Sequence, residues 1–226
     1  MIALTDIPVV LNTDPQLEDL RIEAGTGRAG DFERLMEEVG KIAKPKALYR
    51  VCFIDDKGED TLTMDGVTFT SLALRKNLDS VERVFPYVAT CGTEIDAFAR
   101  AQTDLQKKFW MPQIKLKLLE TGIEYLKAHL ARRYGVSLLS AMNPGSGEAS
   151  LWPIEQQREL FSILGDTEGL VGVRLTKSLT MAPDMSVSGI LFPTESDFHS
   201  CQLCQRENCR SRRAPFDGKL WEAVHK

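Results

Sequence analysis

The chain reads as an α+β protein, on three observations. An amphipathic helical pattern lies near the N-terminus, strand-like segments fall between and after the helices, and no β-α-β alternation recurs at fixed length. The first 46 residues read as helical. Within them Phe32, Leu35, Met36, Val39, Ile42 and Ala43 follow Gly30-Asp31 at helical spacing, which predicts an amphipathic helix over 31–44 that stops before Pro45. Tyr49 to Ile54 then reads as a strand. Thr61 to Met64 and Val67 to Thr70 flank Asp65-Gly66, a pair suited to the tight turn of a hairpin. Residues 83–91 form another strand, and Pro86, which has no N–H to donate, places its beginning at an edge or a bulge. Cys91-Gly92 breaks this strand before a helix from about Thr93 to Gln106.

The clearest helix runs from Trp110 to Tyr134. Leu116, Leu119, Ile123, Leu126, Leu130 and Tyr134 mark one stripe on it, and such a stripe reads as core. Residues 141–150 hold too many turn formers for a helix or strand and read as an exposed loop. Pro153 suits the first turn of a helix over 154–164, which Gly165 ends. Strands over 171–175 and 186–192 follow. The order suggests a single domain in three parts: a helical segment over 1–46, an α+β core over 47–198, and a cysteine- and arginine-rich tail over 199–226.

Composition closes off several functions. With 226 residues, 43% of them apolar and 27% charged, the chain can bury a proper core. A net charge of −4 argues against nucleic acid as a partner, since phosphate neutralisation needs a broad basic surface. No secretory apolar segment opens the sequence and no stretch approaches a membrane span. Together with an odd number of cysteines, five, this points to a reducing cytoplasm and no membrane association. His129, His199 and His225 form no H-E-x-x-H pair, and neither a nucleophile elbow nor a phosphate-binding glycine loop is present. That pattern argues against an independent hydrolase or kinase, and no catalytic residue is assigned.

The tail carries the densest chemistry. Cys201, Cys204 and Cys209 stand in a C-x2-C-x4-C run, a spacing common in zinc and iron-sulfur sites. A fourth ligand could come from His199 or, at the end of the 83–91 strand, from Cys91; a small buried hydrophobe is the other reading of Cys91. Cys52 sits in an apolar strand and reads as core. A disulfide with one thiol left over, or three unligated thiols, are the alternatives to a metal. Arg206, Arg210, Arg212 and Arg213 either offset the charge of a thiolate centre or form a solvated basic face.

Several stretches carry a resemblance. P-G-S-G (Pro144 to Gly147), W-P-I-E-Q-Q-R-E-L-F (Trp152 to Phe161) and G-V-R-L-T-K-S-L-T-M-A-P-D-M-S-V-S-G-I-L-F (Gly172 to Phe192) resemble the activation domain of cobalamin-dependent methionine synthase. S-L-A-L-R-K-N-L (Ser71 to Leu78) and A-T-C-G-T-E-I-D (Ala89 to Asp96) are similar to the small stand-alone relatives, which end in a comparable three-cysteine tail. The resemblance implies a C-shaped fold with N-terminal helices, a curved, mainly antiparallel sheet and a long central helix. It also implies a shallow groove for S-adenosylmethionine and docking on a corrinoid protein or corrinoid-dependent methyltransferase. There the domain supports reductive reactivation of the cobalt of cobalamin, with a reductase as a further partner.

Residue by residue, the family's R-x-x-P-G-Y loop maps onto Ala141 to Ser146, which offers Asn143, Pro144, Gly145 and Ser146 as ligand-binding residues. Pro144 and Gly145 match the pattern, and a glycine lets backbone approach a ligand closely. Ala141 and Ser146 replace the arginine and the tyrosine, which counts against ordinary S-adenosylmethionine binding because alanine cannot pair a carboxylate. Glu124 stands nearest to an acidic ligand contact on the family's long helix; an exposed Glu124–Lys127 pair is the alternative. Ser178, Ser186 and Ser188 could line a groove, the other reading being that they face solvent, and Met181 and Met185 could touch a corrin ring or an adenosyl group, the other reading being plain packing. An iron-sulfur centre on Cys201, Cys204, Cys209 and Cys91 would deliver electrons, whereas zinc would be structural. The competing functional reading is a non-catalytic adaptor for a corrinoid module, held by zinc and without S-adenosylmethionine.

Overall fold

The computed structural model describes residues 1–9, 11, 13–148, 151–195, 198–209 and 212–225. In chain order the elements are β1 (Ile2–Leu4), α1 (Thr13–Asp19), α2 (Gly27–Ile42), β2 (Lys46–Tyr49), β3 (Cys52–Lys57), β4 (Thr61–Met64), β5 (Val67–Thr70) and α3 (Leu72–Asn77). Next come β6 (Arg83–Thr90), α4 (Thr93–Ala101), the 30-residue α5 (Leu105–Tyr134), β7 (Leu139–Met142), α6 (Gln157–Leu164) and α7 (Thr167–Val171). The chain closes with β8 (Arg174–Leu175), β9 (Met181–Ala182), β10 (Ser186–Pro193) and α8 (Gly218–His225). This is the expected α+β class with a mainly antiparallel sheet. Among the described residues no helix is long and apolar enough to cross a membrane.

Strand β6 organises the sheet. On one side it pairs with β2 and β3 laid end to end, and on the other with β10, which in turn pairs with β7. Its residues alternate between two cores. Val84 and Val88 pack toward α3, α6 and the tail, while Phe85, Tyr87 and Ala89 pack toward α5. A strand covered on both faces reads as a continuous apolar run, as Arg83–Thr90 does. A third cluster gathers α1, α2, α4 and the N-terminal half of α5 around Phe32 and Trp110, whose rings meet edge to face at 5.3 Å.

Several sequence expectations change in detail. The first 46 residues are not all helical, because β1 extends the sheet beside β2. The helix expected over 31–44 begins a turn earlier, where the Thr26 hydroxyl accepts from the Ala29 amide. The Tyr49 to Ile54 strand is split between β2 and β3. That split explains why Pro86 sits in a central strand and not at an edge. The N–H and C=O of one residue point to the same side of a strand, and the Pro86 carbonyl accepts from the Arg50 amide at 3.0 Å. Its missing donor therefore faces the break between β2 and β3, where no ladder bond is lost.

The 93–106 helix is cut at Ala101 because the Asp104 carboxylate caps α5, accepting from the Gln106 and Lys107 amides. Ala141 and Met142 belong to β7 and not to the loop. Most of the 171–175 segment follows a helix instead of forming a strand, since α7 ends at Val171 on the left-handed Gly172. The tail is part of the body: Leu203 and Val224 are buried in the core shared with α3 and α6.

Candidate functional site

A cavity of about 400 Å³ opens between α5 and the β6–β10–β7 edge of the sheet, in the size range of small-molecule sites. Its apolar wall is Leu116, Leu119 and Ile123 of α5. The sequence stripe assigned to core is thus divided: Leu126 and Leu130 are fully buried, whereas the edge of the stripe faces this space. The opposite wall is the loop after β7, and Asn143, Pro144, Gly145 and Ser146 all line the cavity.

The loop is held by bonds that leave its conformation little choice. The Asn143 side-chain amide donates to the Tyr87 hydroxyl at 2.9 Å and to the Ser188 carbonyl at 2.8 Å. Gly189 makes room for this, as a Cβ there would stand 2.4 Å from Asn143 Nδ2 and 2.3 Å from the Met142 carbonyl oxygen. Gly145 has a φ of +74°, which favours glycine, and its amide donates to the Trp152 carbonyl at 2.8 Å. Ser188 is buried, not solvent-facing, and its hydroxyl donates to Gln157 Oε1 at 2.7 Å. Burial pushes the Tyr87 phenol upward, with the Asn143 bond and the charge of Arg213 opposing it. The floor is therefore a neutral phenol–amide–carbonyl network beneath an apolar wall, suited to a flat, partly polar ligand.

The remaining expected residues divide. Glu124 is exposed and does not line the cavity; Glu120, one turn earlier, does, and it pairs with Lys117 at 3.3 Å. Ala141 lines the cavity, so the position without an arginine faces this space. Met181 also lines it, whereas Met185 packs beside Phe32 and Trp110 in the helical cluster. Ser178 is exposed, and Ser186 bonds Thr90 and the Pro183 carbonyl. Tyr87, Gln157, Glu120, Lys127, Phe198 and Arg213 were not anticipated. Tyr87 was hidden in an apolar strand, and Arg213 in a charge run that reads as solvated.

The tail wraps against the loop, and its cysteines part company. Cys201 lines the cavity, and its sulfur accepts from the Arg213 amide at 3.4 Å. Cys91 is fully buried beside Ile95 and Ile114 in the helical cluster, where burial pushes its thiol up to about 12. Cys52 is buried in the other core, as expected. Among the described residues no three His, Cys, Asp or Glu side chains gather as a metal site. Cys91 thus lies in a different part of the fold from Cys201. The cation at the centre of the tail is Arg212: its guanidinium donates to the carbonyls of Cys201, Cys204 and Ala214 at 3.1 Å each, and to that of Arg206. Arg210 lies outside the described residues.

The family model for the activation domain of vitamin B12 dependent methionine synthase matches residues 137–214. This segment is similar to that family. It supplies β7, the 143–146 loop, β10 and Arg213, which together make most of the non-helical lining of the cavity. In three dimensions the chain is similar to a crystal structure of the MetH reactivation domain bound to AdoHcy, with a TM-score of 0.60 at 18% identity. The match covers 84% of this chain and 72% of that one. At such identity the likeness is one of fold. No curated protein matches the chain.

Proposed function

We propose that this chain binds an adenosylated sulfur amino acid in the 143–146 cavity and docks on a corrinoid protein or corrinoid-dependent methyltransferase, supporting reductive reactivation of its cobalt. The observation that carries the reading is the cavity itself, walled by the loop of the activation-domain segment and floored by the Tyr87–Asn143–Ser188 network. Leu116, Leu119 and Ile123 would cover the faces of an adenine ring and exclude water from it. Asn143, with both N–H groups committed to the floor, would hold the loop at one height above the ligand. When bound there, S-adenosylmethionine would supply an electrophilic methyl group: a separate reductase would give the partner's cob(II)alamin one electron, the resulting cob(I)alamin would take the methyl as the S–CH3 bond breaks, and S-adenosylhomocysteine would be left in the cavity.

Two measurements test this. Calorimetric titration with S-adenosylhomocysteine should give 1:1 binding that Asn143→Leu weakens at least 10-fold, the loss expected from about 1.4 kcal/mol. With S-adenosylmethionine and a reductant, the visible spectrum of a cob(II)alamin-loaded corrinoid module should change to that of methylcobalamin faster when this chain is present. Docking without any ligand heat would instead identify the adaptor, and neither effect would end both readings.

A further inference from the structure

The position at which the loop lacks an arginine lines the cavity, and an arginine from another part of the chain lines the same cavity. Arg213 lines the cavity, is exposed, and makes no ion pair among the described residues. Its placement is enforced from two directions. The amide of Arg213 donates to the Cys201 sulfur, and the neighbouring Arg212 is fixed by four backbone carbonyls of the tail. An unpaired guanidinium in a cavity walled by aliphatic side chains is a ready partner for a planar anion, since its fork of N–H donors matches a carboxylate in two parallel bonds.

We propose that Arg213 is the carboxylate anchor of this site, so that the tail supplies the cation missing at Ala141. The assignment rests on the reading of the cavity as a site for an adenosylated sulfur amino acid and names which end of that ligand the tail reads. The three-cysteine tail then acts as a ligand-completing wall: Arg212 is a positioning residue that works through Arg213, and Cys201 packs at the cavity rim.

The test compares S-adenosylhomocysteine, which has the amino-acid carboxylate, with 5′-methylthioadenosine, which has the same nucleoside and a thioether but no carboxylate. Both are titrated calorimetrically into the wild type, Arg213→Met and Arg213→Lys. Arg213→Met should weaken S-adenosylhomocysteine about 10- to 100-fold, the range for a charge-assisted hydrogen bond, and leave methylthioadenosine within about 2-fold. Arg213→Lys should fall between, because a lysine keeps the charge without the fork. Equal losses for the two ligands, or no loss for either, overturn the carboxylate assignment while leaving the nucleoside site standing. If the wild type binds neither ligand, the reading of the cavity fails and this assignment fails with it. Matching melting temperatures for the three proteins exclude a folding effect.

Discussion

Substitution of Lys115 by methionine should cost this protein a large share of its stability. Lys115 projects from α5 between Asp96 of α4, 2.6 Å away, and Asp184 of the turn before β10. The Lys115 and Asp96 side chains are each only 7% exposed, whereas Asp184 is 75% exposed. The Asp184 contact is therefore screened and contributes little. The Asp96 contact sets the magnitude, because losing one partner of a buried pair strands the other charge at about 3–5 kcal/mol. Asp96 keeps Arg100, a partner that is itself 76% exposed, so the lower end, about 3 kcal/mol, applies. For a chain of this size that corresponds to a fall in melting temperature of roughly 6–12 °C by differential scanning calorimetry. The double variant Lys115→Met/Asp96→Leu should recover most of the loss, since apolar replacement of a whole buried pair is close to neutral. A fall of less than about 2 °C for the single variant, or additive losses in the double, would refute the reasoning.

Other outcomes follow from the same geometry. Burial pushes the Asp184 carboxyl up, but the hydrogen bond and charge of Lys115 outweigh it and hold it below the usual range; its contribution is present above about pH 3.9 and lost as pH falls through the lowered value. Burial pulls the Lys115 ammonium down, but its bonds to Asp184 and Asp96 raise it on balance, so its contribution persists below about pH 10.4 and is lost as pH rises past the raised value. The gap in melting temperature between wild type and Lys115→Met should thus be flat at neutral pH and narrow in strong acid. Burial, with Arg133 and Arg132 adding to it, holds the His129 imidazole below its ordinary value beside the Tyr49 hydroxyl, 3.0 Å away. Stability from the neutral ring is present above about pH 6.5 and lost as pH falls, and His129→Gln should flatten that part of a urea-denaturation pH profile. Gly189→Ala should cost about 1–3 kcal/mol in urea denaturation and weaken S-adenosylhomocysteine, because its methyl displaces Asn143. Gly27→Ala, with nothing within 4 Å of the added methyl, should not destabilise. Arg212→Met removes the donors of four carbonyls and should expose the 201–214 segment to limited trypsin digestion, with little change in the melting of the rest.

The sequence by itself determined the class, the hairpin at Asp65-Gly66, the long helix and the turn-rich run at 143–146. Each of these is written in local terms: helical spacing, turn residues that tolerate positive φ, and a contiguous P-G-S-G run. The Asp65 and Gly66 φ values of +52° and +73° follow directly from that pair. Tertiary structure decided what depends on which segments meet. Pro86 could enter a central strand only because β2 and β3 break opposite it, a fact about its partners and not about proline. Lys115 reads as one more helix charge until α4 and the turn before β10 close over it. The tail shows the difference most clearly. Thiol spacing along the chain does not reveal that the Arg212 guanidinium meets the tail carbonyls, that Cys91 is buried in a separate core, or that Arg213 lines the cavity. Spacing along the chain limits which side chains can meet, but only the packing of remote elements selects which of them do.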